Sequence, residues 1–116
     1  MGAVDSKVDV DAVKKEVRSS PVVMWSKPQC GFCDKARKLL ADSKVKVREV
    51  DLDRLKQENP KTAGAITNGL VYTTRQTSVP QIFICGKFIG GFTELNQLKE
   101  AGKLLEAVAE CSNERD

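Results

Sequence analysis

The run Pro21-Val22-Val23-Met24-Trp25-Ser26-Lys27-Pro28-Gln29-Cys30-Gly31-Phe32-Cys33 sets a C-x-x-C directly behind a short apolar stretch. Val22 to Trp25 are β-branched or bulky and bounded by proline and serine, so they read as a fully buried strand. A helix then opens at Cys30 and reaches about Asp42, with Ala36, Leu39 and Leu40 marking its inward stripe. A thiol in the first turn of a helix meets backbone N–H groups that lack intrahelical partners, together with the positive end of the helix dipole, and both favour the thiolate. Lys27, three residues upstream, adds a positive charge. Cys30 is therefore the candidate nucleophile. Cys33 lies one turn further on the same face, close enough to close a disulfide, and is the candidate resolving thiol.

Two other uses of the motif fit less well. A structural zinc site takes four ligands, and the chain has no histidine and only Cys85 and Cys111 as further thiols, widely separated and not spaced as a second pair. Four cysteines in 116 residues are sparse for a secreted scaffold built on disulfides, and no secretory signal precedes them. Without histidine there is also no Cys-His nucleophile pair, no Ser-His-Asp triad and no histidine-ligated metal. A C-x-x-C beside a βαβ pattern points instead to dithiol redox chemistry.

The length suits one domain able to bury roughly two thirds of its unfolded surface. The formal charge of +3 is mild, and its most regular cluster, Lys44, Lys46 and Arg48, alternates like a solvated face, which argues against a nucleic-acid partner. No run approaches 18 apolar residues, so no transmembrane segment is expected and the protein should be soluble.

Val10, Val13 and Val17 predict a helix over about residues 5 to 18. Val45, Val47, Val50 and Leu52 predict a second strand with a slip near Glu49, parallel to the first through a right-handed crossover. Asn59-Pro60 reads as an N-cap and first helical position, opening a helix that contains Ala63, Ile66 and Leu70 and is weakened by Gly64 and Gly69. Gln81 to Cys85 and Phe88 to Gly90 flank Gly86-Lys87 as an antiparallel hairpin. Leu95, Leu98, Leu105 and Val108 predict one last helix from Thr93, its N-cap, to about Glu110. The division expected is a flexible start over residues 1 to 7, a folded domain over 8 to 110 and a flexible tail over 111 to 116. Cys85 reads as a core or hairpin residue, Cys111 as a bystander near a frayed end, and Trp25 as core filling beside the active loop.

The order α-β-α-β-α-β-β-α, with C-x-x-C after the first strand, resembles the thioredoxin-like α/β fold, a four-stranded mixed sheet flanked by helices. Within it the chain resembles the glutaredoxins through three separated signatures: Lys27-Pro28-Gln29-Cys30-Gly31-Phe32-Cys33, Thr77-Ser78-Val79-Pro80 and Gly90-Gly91-Phe92-Thr93-Glu94. The resemblance covers roughly residues 8 to 110. It implies glutathione as the cofactor and an oxidoreductase that reduces protein–glutathione mixed disulfides and protein disulfides. By resemblance, the cysteinyl backbone of glutathione pairs with Val79 before a cis Pro80, and its sulfur falls on Cys30 beside Phe32. The γ-glutamyl carboxylate meets the helix start at Gly91, Phe92, Thr93 and Glu94. The glycyl carboxylate meets Lys27 and either Arg75 or Gln76, because this loop departs from the more usual Thr-Gly-Gln-Arg-Thr-Val-Pro run. Ser78 replaces the usual threonine, a change that leaves main-chain pairing intact.

The centre Cys-Gly-Phe-Cys also resembles the Cys-Gly-Phe-Ser of relatives that hold a [2Fe-2S] cluster between two subunits, ligated by the first cysteine and glutathione. The longer loop that those members carry before the active site is absent. The alternative is thus a homodimer ligating a cluster through Cys30, against a monomeric catalyst. Met1-Gly2 with Ser6 fits an N-myristoylation pattern, although chance supplies so short a match more readily. A reducing compartment is implied, cytoplasmic by default, with a chloroplast or mitochondrion open if a transit peptide has been removed.

Overall fold

Val22–Ser26 forms β1, and every residue of it is buried. In this computed structural model, which describes residues 7–114, it lies in a four-stranded sheet ordered β2-β1-β3-β4. The partners are β2 (Arg48–Asp51), β3 (Gln81–Ile84) and β4 (Lys87–Gly90). β1 runs parallel to β2 and antiparallel to β3, which is antiparallel to β4. The helices are α1 (Val10–Val17), α2 (Gly31–Asp42), α3 (Leu52–Glu58), α4 (Ala63–Thr74), α5 (Phe92–Glu100) and α6 (Leu104–Glu114). This is the mixed-sheet thioredoxin-like arrangement expected from the order of elements.

Val22 to Trp25 of β1 are an uninterrupted apolar run because both faces of the strand are covered. Val22 and Met24 join Ala36, Leu40, Ile82, Ile84, Leu95 and Leu104 in one cluster, under α2, α5 and α6. Val23 and Trp25 join Val13, Val17, Leu52, Leu70 and Phe83 in the other, under α1, α3 and α4. Successive side chains of a strand point to opposite faces, so a central strand needs apolar residues at every position. Among the described residues, no helix is long and apolar enough to cross a membrane.

Several local expectations are corrected. Val45 and Val47 precede β2, because the Val45 N–H still bonds the Leu40 carbonyl at 2.9 Å and Lys44 turns the chain at φ 59°. Leu52 starts a helix: the Asp51 carboxylate accepts the N–H groups of Asp53 and Arg54 at 2.9 and 3.2 Å and caps α3. Asn59 is the C-cap of α3 and not an N-cap. Its carbonyl accepts the N–H groups of Thr62 and Ala63 at 3.2 and 2.9 Å, so Pro60 lies in a turn and α4 begins at Ala63. Gly69 sits inside α4 because a Cβ there would lie 2.4 Å from the Asp9 carbonyl oxygen, where the start of α1 crosses. The first helix is capped by Asp9 and is shorter than predicted, and residues 5 and 6 lie outside those described, as does the Met1-Gly2 pattern.

The single last helix is two. Gly102 takes φ 71°, and the N–H groups of Gly102 and Lys103 close onto the carbonyls of Lys99 and Leu98, which ends α5. The break changes the register, so Leu104 is buried and Leu105 is 63% exposed. The helix start also moves: Gly91 is the N-cap, with Thr93 inside the first turn. At the other end α6 continues through Cys111, which is buried, so the chain at 111 is helix and not a flexible tail.

Candidate active site

Cys30 is the N-cap of α2. Its Sγ accepts the N–H of Cys33 at 3.1 Å, so the sulfur takes the place that a serine or aspartate oxygen usually fills. Gln29, at φ 59°, makes the sharp entry into this position. An N–H aimed at the sulfur and the dipole of a 12-residue helix both stabilise a thiolate at this atom once the pair is reduced. Here Cys30 and Cys33 are disulfide-bonded, with Cα atoms 5.2 Å apart. Cys30 is half-buried and Cys33 wholly buried, so only the first sulfur is open to attack from solvent.

Val79 stands across from this sulfur. The Val79–Pro80 peptide is cis, as expected, and the Val79 carbonyl oxygen lies 3.8 Å from Cys30 Sγ. A cavity of about 210 Å³ opens beside them, lined by Phe32, Gln76, Ser78, Val79, Pro80, Gly91, Phe92, Thr93 and Glu94. Phe32 and Phe92 face each other at 6.2 Å between ring centroids, and the Lys35 ammonium sits 5.1 Å over the Phe32 ring. The Glu94 carboxylate accepts the Gly91 N–H at 2.7 Å and closes the start of α5. Both glycines serve close approach. A Cβ on Gly90, at φ 120°, would fall 2.4 Å from Glu94 Oε1, and one on Gly91 would fall 3.3 Å from the Pro80 carbonyl oxygen.

Three predicted residues behave differently. Gln76 lines the groove, but its side-chain amide is already committed, donating to the carbonyls of Ser78 and Pro80 at 3.0 and 3.2 Å. Arg75 lies outside that lining: it caps α4 in the left-handed region, with its guanidinium 4.8 Å over the Tyr72 ring. Lys27 is exposed and borders a neighbouring depression shared with Lys56, Pro60 and Asn68. The structure thus gathers the Val79 and Gly91 signatures around Cys30 and leaves Lys27 and Arg75 at its periphery.

Gln81 was missed by the sequence reading. It is buried, and its Nε2 donates to the carbonyls of Gln76 and Ser78 at 2.6 and 3.2 Å, bracing the loop that presents Val79. The available signal was a lone amide beside Pro80 in an otherwise apolar strand. A second brace holds α2 to the sheet. Arg37 bonds Glu49 at 2.9 and 2.7 Å and Asp34 at 2.7 Å, and the Ser26 hydroxyl donates to Glu49 at 2.6 Å. The Arg37 guanidinium holds the Glu49 carboxyl below its ordinary range; burial opposes this and the Ser26 bond adds to it.

The family profile described as Glutaredoxin matches residues 22–89, from the start of β1 into β4. The chain belongs to the glutaredoxin family. Human mitochondrial glutaredoxin-2 is 35% identical over 102 residues, 88% of this chain and 59% of the relative. Arabidopsis thaliana glutaredoxin-C1 is 32% identical over 111 residues, 96% of this chain and 85% of its own. The chain spans about three fifths of the length of the mitochondrial relatives it matches. Among solved structures, a buckwheat glutaredoxin–glutathione complex superposes with a TM-score of 0.77 at 31% identity, covering 89% of both chains. The glutaredoxin signatures at Cys30, Val79 and Gly91 are the segments that line the groove described above.

Proposed function

We propose that this glutaredoxin reduces protein–glutathione mixed disulfides and protein disulfides, with glutathione as the electron donor. The observation that carries the reading is Cys30 Sγ at the first turn of α2, 3.8 Å from the Val79 carbonyl, at the end of a groove of the size of a short peptide. An extended ligand backbone pairs with the Val79 main chain, as a strand pairs with a sheet edge, and the first turn of α5 offers N–H groups to a carboxylate. The buckwheat neighbour, whose structure is a complex with glutathione, supports that ligand. For the second carboxylate the candidates are Gln76, whose amide would have to leave the Ser78 and Pro80 carbonyls, and Lys27 and Arg75, which would have to reach in from outside the groove lining. Gln76 is the best placed of them, since it already lines the groove.

In the first route the Cys30 thiolate attacks the glutathione sulfur of the mixed disulfide. The protein thiolate leaves, and a Cys30–glutathione disulfide remains. A second glutathione thiolate then attacks that glutathione sulfur, releasing glutathione disulfide and restoring Cys30. In the second route Cys30 attacks a protein disulfide and expels one substrate thiolate, which takes the Cys33 proton. The Cys33 thiolate then displaces the other substrate thiolate and closes the Cys30–Cys33 bond, which two glutathiones reopen. Their bonding distance in the structure supports Cys33 as the resolving thiol.

A [2Fe-2S] cluster held by Cys30 and glutathione between two copies is the remaining reading. Among the described residues no group of three or more metal-ligating side chains occurs within one chain, so such a cluster would draw its other ligands from glutathione and a second copy. Relatives named as mitochondrial and chloroplastic support an organellar setting as much as a cytoplasmic one. A glutathione-coupled mixed-disulfide assay on Cys30→Ser and Cys33→Ser, with an absorption spectrum of anaerobically isolated protein, tests the proposal. Turnover lost in the first variant and kept in the second supports it, and equal loss in both refutes it. Visible absorption that requires Cys30 reveals the cluster.

A further inference from the structure

Cys85 and Cys111 occupy the opposite end of β3 from Pro80. They are disulfide-bonded, with Cα atoms 5.0 Å apart, whereas the sequence reading treats them as unrelated. Three parts of the chain meet there. The Cys85 N–H donates to the Pro21 carbonyl at 2.8 Å, Cys111 Sγ lies 3.8 Å from that same oxygen, and Cys85 Sγ lies 3.4 Å from the Ala107 carbonyl. Cys85 and Gly86 form the two-residue turn between β3 and β4, with φ 54° and 77°. Such turns favour Asn, Asp or Gly at the first position, and a left-handed backbone costs another side chain about 1 kcal/mol. Cys111 is buried on the inner side of α6 and Cys85 is half-buried, so Cys85 is the sulfur that a small disulfide reaches first.

We propose that Cys85–Cys111 is a second disulfide of this protein, a staple that fastens α6 to the hairpin turn and to the start of β1. It forms with glutathione disulfide as oxidant. The more exposed Cys85 thiolate attacks one glutathione sulfur and expels a glutathione thiolate. The Cys111 thiolate then attacks Cys85 Sγ and expels the second. Two thiol protons pass to the departing thiolates, and two electrons reduce glutathione disulfide to two glutathiones. The staple does not depend on the catalytic reading, because neither sulfur lines the groove.

A Cys30→Ser/Cys33→Ser double variant retains this pair alone and isolates its effect. Treated with glutathione disulfide and alkylated, it should yield a Cys85–Cys111 cross-linked peptide by mass spectrometry. Its melting temperature should fall by about 10 °C or more when the pair is reduced, the shift expected for releasing a loop of this length in a domain of this size. Cys111→Ser added to that double variant should hold the low melting temperature in both states, and in the otherwise native chain it should keep mixed-disulfide turnover within about twofold. Two freely alkylated thiols after oxidation, a cross-link between chains, or equal melting temperatures in the oxidised and reduced double variant would each overturn the staple. Should Cys111→Ser fail to fold, the double variant still decides the matter, because it is one protein measured in two redox states.

Discussion

The two ends of β3 hold the same kind of bond in opposite surroundings. At the Pro80 end, Cys30 and Cys33 are three residues apart, one sulfur faces solvent, and a backbone N–H points at it. At the Cys85 end the partners are 26 residues apart, and although burial is alike in the two pairs and a carbonyl oxygen also lies 3.8 Å from Cys30 Sγ, the polar contacts of Cys85 and Cys111 Sγ are with carbonyl oxygens, the nearest at 3.4 and 3.8 Å. Donors around a sulfur stabilise a thiolate, and carbonyl acceptors destabilise it. The backbone N–H on Cys30 Sγ suits the first pair to being opened to a thiolate, and the second pair has carbonyl contacts that favour the closed bond. The chemistry of a cysteine pair is set less by the bond than by what the neighbouring backbone presents to it.

Substitutions can break this contrast, and the largest effect belongs to the attacking thiol. Cys30→Ser should lower mixed-disulfide turnover by at least about 100-fold, because a hydroxyl is not ionised near neutrality. Cys33→Ser should keep that activity within a few-fold and lose reduction of protein disulfides. A single kinetic series with both substrates reads the difference.

Glycines sharpen the contrast next. Gly90→Ala places a methyl against Glu94 at φ 120° and should raise KM for glutathione about tenfold by displacing the start of α5. Gly86→Ala, at φ 77° and facing Arg18, should instead cost about 1 kcal/mol of stability with KM unchanged. If Gly86→Ala moves KM as far as Gly90→Ala does, the two ends are not independent.

The smallest effect concerns the brace under α2. Glu49 binds its proton more weakly when folded than when unfolded, so its contribution is present above its ordinary value of about 4.5 and disappears as pH falls through the lower folded value. Glu49→Gln should cost about 1 kcal/mol at pH 7 and flatten the loss of stability below pH 4.5. Denaturant melts of both proteins between pH 3 and 7 measure it; parallel curves would remove Glu49 from the account.

The frame of the fold was legible wherever one local signal sufficed. Val22 to Trp25 announced a central strand, and the thiol chemistry of Cys30 followed from its place before a helix. Val79-Pro80 and Gly90-Gly91 carried the groove through resemblance. What stayed hidden depended on contacts distant in sequence. Gly69 reads as a helix weakener in sequence, and its reason is the Asp9 carbonyl that packs against it. Lys27 was expected to share the groove and borders another depression, because Gln29 turns the chain between it and Cys30. Gly102 ended a helix that leucine spacing ran straight through, although a glycine between Ala101 and Lys103 was a readable stop. The pairing of Cys85 with Cys111 could not be read from spacing, since it rests on α6 folding back over the hairpin.

The elbow at Gly102 divides labour between two rods that leucine spacing joined into one. Every residue that lines the groove precedes Leu95, so among the described residues those after the elbow pack against the core without lining it. Substitutions on the outer face of α6 should accordingly leave the groove unchanged, provided that its inward stripe and the thiol it carries are left alone.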